Sequence, residues 1–315
     1  MGFSLINCMK IQPFLLSILA SSVFSVSAQS PVPKTPAARG ESLPEILVTG
    51  SSQTLRPITS QQDPVGPYNQ PYWTTQPNFT SSRVYVRPEG QVEIVQFWTP
   101  EFSKGSNEVE HGMRTEVEIG LPHRFQLDLY QNYGIDGGGR GFYKGSSVEV
   151  RYALADWGKI PLNPTLYFEW MFNDNASDAY EAKLLMGEVF AKRWQFAANI
   201  SFENETGGAR EQEWSATSAL SYALVDNKLN IGLETLWERK TDKSSRGSAE
   251  YEFLIGPSFN FKPTNDTFIN VAPLFGCTDA APRAEIFVVA GIRFGGPRGA
   301  NEEGSISSPA SMFGR

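Results

Sequence analysis

From Gly90 to Phe294 the chain alternates apolar and polar residues with a period of two, segment after segment, and this repeat limits the fold more than any other feature. Thr115, Val117, Ile119 and Leu121 interleave with Glu116, Glu118 and Gly120. After a turn at Pro122, Phe125, Leu127 and Leu129 interleave with Gln126, Asp128 and Tyr130. Successive side chains of a strand point to opposite faces, so each segment has one apolar and one polar side. The same texture runs through Val148–Leu154, Leu166–Phe172, Tyr180–Met186, Trp194–Phe202, Trp214–Leu224, Leu229–Trp237 and Tyr251–Phe261. A weaker segment covers Thr267–Phe275, and the last runs from Ala284 to Phe294. The pattern predicts about twelve strands, most near the roughly 9 to 11 residues of a tilted membrane strand.

The links between segments support a barrel over a soluble sandwich. Short turns (LPHR, AKR, VDNK, KPTND) take every second place, although ADWGKIPLNP is longer; between them lie longer polar links such as EFSKGSNEVEHG, YGIDGGGRGFYKG and ENETGGAREQE. Short periplasmic turns alternating with longer outer loops are the order of an outer-membrane barrel. On that topology Trp98, Trp170, Trp214 and Trp237 fall at outer strand ends, and Trp157 and Trp194 at periplasmic ends. Indole rings concentrate at the two membrane interfaces. The expected fold class is therefore all-β: a single antiparallel up-and-down transmembrane β-barrel over residues 90–294.

Upstream, Lys10 precedes the apolar run IQPFLLSILASSVF and the small-residue site Val26, Ser27, Ala28, which reads as a signal peptide over 1–28, with Met9 as an alternative start. The mature chain then carries one cysteine, Cys277, and no intramolecular disulfide or thiol cluster is available. Residues 29–89 are rich in proline with no sustained period and are expected to form an extended periplasmic leader. A polar tail covers 295–315. The net charge of −7 provides no basic footprint for nucleic acid.

The closing segment RAEIFVVAGIRF resembles the last strand of Gram-negative outer-membrane barrels, in which a Gly followed three residues later by Phe, here Gly291 and Phe294, forms part of the signal read by the barrel assembly machinery. Residues 90–294 as a whole resemble small outer-membrane transport proteins, including the group linked to phenol-degradation operons. The resemblance implies location in the bacterial outer membrane, outer-membrane lipid and the assembly machinery as partners, and no cofactor.

Chemistry is sparse. The two histidines, His111 and His123, fall at opposite ends of the predicted barrel, and neither has a serine two residues on, so no catalytic residues, metal ligands or enzyme activity are expected. The inward polar face is more informative. Glu116, Glu118, Asp128, Glu149, Glu169, Glu181, Glu234, Glu250 and Glu252 share it with Glu93, Glu203 and Glu285, against chiefly Arg151, Lys183 and Arg293. An open lumen so lined favours cations or neutral molecules over anions. The expected function is passive or gated passage of small solutes. A filled barrel presenting its outer loops to partners is the other reading, since a small barrel can be filled by its own side chains.

The leader also contains EILVTG, in which Glu45, Ile46, Leu47, Val48 and Thr49 resemble the box by which TonB-dependent receptors add a strand to TonB. Residues 51–89 are too few and too rich in proline for those receptors' plug domain, so the segment has two readings: a β-prone patch that tucks into the lumen or pairs locally, or a site that couples a small barrel, or its leader, to TonB.

Overall fold

The computed structural model describes residues 59–296. Twelve antiparallel strands close into one barrel. They are β1 (Gln91–Phe102), β2 (Val109–Leu121), β3 (Phe125–Ile135), β4 (Gly141–Ala153), β5 (Thr165–Asn173) and β6 (Ala179–Phe190). The second half comprises β7 (Trp194–Glu205), β8 (Gln212–Val225), β9 (Leu229–Thr241), β10 (Glu250–Phe261), β11 (Thr267–Gly276) and β12 (Ala284–Gly295). Each strand pairs with its neighbours in sequence, and β12 closes the cylinder on β1 from Gly295↔Gln91 to Ala284↔Phe102.

The period-two pattern sorts as the sequence analysis expects. Leu166, Phe168, Phe172, Leu233 and Phe259 point outward and stay about half exposed. Their in-strand alternates Thr165, Tyr167, Glu169, Glu234 and Ser258 point inward and are buried. A closed cylinder leaves no strand edge unpaired, which is what a backbone in hydrocarbon requires. Among the described residues no helix is long and apolar enough to cross a membrane; this chain crosses with strands.

Strands run further into the polar links than the alternation suggests. The link around GIDGGGRG contracts to 136–140, because Tyr133↔Tyr143 and Ile135↔Gly141 extend the ladder. Asp136 Oδ1 then closes the turn by accepting from the backbone N–H groups of Gly138 (3.1 Å) and Arg140 (2.8 Å). His111 lies within β2 rather than in a loop, stacked on Trp98, whose Nε1 donates to His111 Nδ1 at 3.2 Å.

The largest departure from the expected architecture concerns the leader. Residues 59–89 fold inside the barrel instead of extending from it. Two 3₁₀ turns, Ser60–Gln62 and Tyr72–Thr75, and a two-residue ladder pairing Pro64–Val65 with Gln70–Pro71 are its regular structure. Trp73, Phe79, Val84, Tyr85 and Val86 are almost wholly buried and meet the wall at Ala153, Ala197 and Ala219, small inward residues that make room for them. Trp157, expected at a membrane interface, turns inward too; its ring packs edge-on against Trp73 (6.0 Å) and Tyr85 (5.4 Å), and its backbone N–H donates to the Tyr68 carbonyl at 2.9 Å. Prolines suit such a segment because each removes a backbone donor that a lumen without a partner strand would leave unsatisfied. Aromatics and amides then supply the burial and hydrogen bonding that proline cannot.

The inner end of this plug is the end bearing the short turns. Ser60 N–H donates to Asp226 in the turn 226–228 at 2.8 Å, and the chain leaves the lumen through Pro88 to Gly90, against the β2–β3 turn. Gly120 marks that exit: a Cβ there would collide with the backbone of Pro88. EILVTG, the signal segment and the polar tail beyond Gly296 lie outside the described residues.

Candidate functional site

Plug and wall meet through three sets of polar contacts. At the exit, Arg87 is 4% exposed and its guanidinium donates to Glu93 of β1, to Glu118 of β2 and to the Thr75 carbonyl. Its backbone N–H donates to Gln126 Oε1 at 2.6 Å, and Gln126 Nε2 reaches Asp128 at 2.8 Å. At the apex, Glu234 of β9 accepts from the backbone N–H groups of Thr80 (3.1 Å) and Ser81 (3.0 Å) and from both hydroxyls, at 2.7 and 2.9 Å. A buried carboxylate with four protein donors needs no counter-ion, and the two plug residues cannot leave without stripping it.

Between these lies a closed ring of four amides, two from the plug and two from the wall. Gln61 Nε2 donates to Asn230 Oδ1 (3.1 Å), Asn230 Nδ2 to Asn78 Oδ1 (2.7 Å), Asn78 Nδ2 to Gln195 Oε1 (2.7 Å), and Gln195 Nε2 back to Gln61 Oε1 (2.6 Å). A primary amide has both a donor and an acceptor, so four of them satisfy one another in a cycle that a carboxylate would break. Asn270 extends the network to the Pro77 carbonyl at 2.9 Å.

The remaining inward charges divide into those under the plug and those above it. Glu116, Glu118, Asp128, Glu234 and Arg293 are all buried around the plug. Arg151 is buried as well; it contacts Glu149 and lies 3.1 Å from Asp128 and 3.7 Å from Glu116. Arg293 donates to Thr75 Oγ1 and the Tyr72 hydroxyl, both at 3.1 Å, and to Asp266 at 3.0 Å, which makes it an anchor of the plug rather than part of an open passage. Above the apex the lumen opens into a cavity of about 460 Å³ whose floor is Thr80, Ser81 and Arg83 and whose wall includes Glu149, Glu169, Glu181, Lys183, Glu203 and Glu213. Lys183 lies 2.8 Å from Glu181, and Lys240 lies 2.7 Å from Glu238 and 3.2 Å from Glu252. Glu250, at the outer end of β10, is exposed.

The sequence analysis had no role for Arg83, Arg87, Gln61, Asn78 or the wall amides. A signal for Arg87 exists in hindsight: an acidic inward face with few wall cations calls for cations from elsewhere, and the leader supplies two arginines immediately before β1.

One further plug contact has a pH signature. Lys262, in the turn 262–266, is 1% exposed, its Nζ has no hydrogen-bond partner, and it sits 5.8 Å from the centre of the Tyr72 ring. Burial first, then the charges of Arg293 and Arg87, hold its pKa down at about 8, against the opposing pull of Glu93 and Asp226. The unfolded chain keeps this proton up to the ordinary lysine value, so between about pH 8 and 10 the folded state binds fewer protons and stability rises with pH. Thermal midpoints of the reconstituted protein should climb across that window, and Lys262→Met should abolish the climb while raising the midpoint at pH 7. An unchanged slope in the variant assigns the effect to another group.

Residues 179–293, spanning β6 to β12 up to Arg293, match the family model described as MetA-pathway of phenol degradation. No curated protein matches the chain. Among solved structures, the COG4313 outer membrane channel from Pseudomonas putida F1 is 10% identical, with 70% of this chain and 99% of that one covered and a TM-score of 0.48. The NanC porin is 12% identical over 65% of this chain and 99% of its own (TM-score 0.45). The KdgM porin is 11% identical over 64% and 98% (TM-score 0.44).

Proposed function

We propose that this chain is an outer-membrane channel for small solutes, closed at rest by its own residues 59–89 and opened when that plug leaves the lumen. The observation that carries the reading is the asymmetry of the lumen: an acid-lined cavity open above Thr80 to Arg83, and below it a plug tied to the wall through Glu234, the amide ring and Arg87. A barrel filled for structural reasons alone has no need of a cavity of about 460 Å³ above its plug. The wall suits small cations and neutral molecules. The matched family's description names phenol degradation; a neutral phenol is compatible with this wall, whereas an aromatic carboxylate would meet Glu169, Glu181, Glu203 and Glu213.

An enzymatic role is not part of this proposal, because His111 faces outward against Trp98 and His123 sits in an inner turn, apart from any nucleophile that it would activate. The position of the plug also supports TonB as the source of the opening force. EILVTG lies shortly before the plug's first described residues, so a pull on Glu45 to Thr49 is transmitted to Thr59 and onward. Deleting Glu45 to Gly50 without loss of binding to the C-terminal domain of TonB would remove this part of the proposal. The channel reading is tested by liposome swelling and planar-bilayer recording of the full chain and of its Arg87→Ala variant: openings with cation-favouring reversal potentials, rare in the wild type and frequent in the variant, support it, and a barrel silent under every applied voltage in both rejects it.

A further inference from the structure

The strand register holds a feature that neither the alternation nor the plug requires. Glu93 of β1 stands directly opposite Glu118 of β2, Glu118 opposite Asp128, and Asp128 opposite Glu149. The run continues without a gap through Glu169, Glu181, Glu203 and Glu213. Eight consecutive strands therefore each place one carboxylate against the next. A cation stands at each end, Arg293 opposite Glu93 and Lys240 opposite Glu213, and two wall cations lie along the row, Arg151 on Asp128 and Glu149 and Lys183 on Glu181.

Barrel strands tilt, so a row of cross-strand partners climbs the wall as it goes round. Glu93 is near the inner start of β1 and Glu213 near the outer start of β8. The row thus winds from the base of the plug to the mouth of the cavity, and it passes from fully buried at Glu93, Glu118, Asp128 and Glu149 to half-buried at Glu181, Glu203 and Glu213. Like charges directly opposite destabilise a sheet. A violation repeated on eight strands points to use rather than to stability.

The inner end of the row already holds a cation. Arg87 of the plug sits on Glu93 and Glu118. Beside them Glu116, fully buried and off the row, has no hydrogen-bond partner on either carboxylate oxygen; one oxygen each of Glu116, Glu118 and Asp128 lie within 4.8 Å of one another, and Glu116 has Arg151 at 3.7 Å and Arg83 at 3.8 Å. A wall that binds a plug guanidinium and leaves an adjacent carboxylate without a donor is built to accept positive charge.

We propose that the row is a stepwise path for small cations from the outer mouth to the inner end, and that Arg87 occupies its innermost steps in place of the permeant ion. Closely spaced sites let an ion enter one step as another leaves the next, which permits binding without trapping. Withdrawal of the plug removes Arg87 and frees those steps. The proposal rests on the channel reading and names the substrate class of the same lumen.

Terbium ion is a suitable probe, because the hydroxyls of Tyr130 and Tyr167 donate to Glu149 and Glu169 on the row and would sensitise its emission. In the full chain, the triple variant Glu181→Gln, Glu203→Gln, Glu213→Gln is expected to weaken terbium binding by about tenfold or more, and to bring the cation-to-anion permeability ratio close to unity. Removing as many lumenal charges off the row, by Glu238→Gln, Glu252→Gln and Glu285→Gln, should weaken terbium binding by less than about twofold and leave the channel cation-preferring. Equal losses in the two triples, in a protein that conducts, overturn the row and leave the channel standing. A chain that binds terbium on the row and never conducts, either as the wild type or as Arg87→Ala, contradicts the channel reading, and the path falls with it.

Discussion

Arg87→Ala is expected to unseat the plug. The wild-type guanidinium satisfies Glu93, Glu118 and the Thr75 carbonyl at once, in a site from which water is excluded. Its removal leaves two wall carboxylates buried without their partner, and breaking a buried pair from one side costs about 3 to 5 kcal/mol. The barrel cannot relieve this cost, since Glu93 and Glu118 are fixed in adjacent strands. Departure of the plug's exit segment admits water to both and is the cheaper response. Even 3 kcal/mol corresponds to about a hundredfold change in the ratio of seated to unseated plug. Single-channel recordings should therefore show a large rise in open probability, with the barrel's heat-modifiable mobility on gels unchanged. Arg87→Lys, which keeps the charge and loses the fork, should fall between the two. A variant that folds and stays as closed as the wild type would mean that the exit contact does not hold the plug.

The extent to which the fold was legible in the sequence follows from what each signal depends on. A strand wall has a local code: residues two apart share a face, so Val117 and Ile119 or Glu116 and Glu118 declare their sides without knowledge of any neighbour. Strand number, direction and the inward set, including Glu149, Arg151, Glu169 and Glu181, were all readable in this way. The plug has no such code. Residues 59–89 have neither period, and their proline content is shared by extended segments that never fold. What folds them is a lumen formed by strands far along the chain, and contacts such as Ser81 with Glu234 or Gln61 with Asn230 join residues more than 150 positions apart. Trp157 was assigned to an interface for the same reason, because the aromatic patch that draws it inward belongs to the plug. The row of carboxylates is half visible: seven of its eight members, all but Glu213, fall on the inward face that alternation predicts, but their succession depends on register between strands, which alternation along one strand does not determine.

The central claim is that residues 59–89 are the gate, and a removable cross-link tests it most directly. Ser82 Oγ of the plug and Thr217 Oγ1 of β8 lie 2.8 Å apart at the floor of the cavity, close enough for a cysteine pair to be oxidised across the same gap. With Cys277→Ser removing the thiol among the described residues and Arg87→Ala supplying an open channel, Ser82→Cys with Thr217→Cys places a reversible bolt between plug and wall. Bond formation is read by mass. Oxidation should silence conductance and reductant should restore it, on the same molecules in the same bilayer; conductance that is identical in the oxidised and reduced states, with the bond confirmed, would contradict the account.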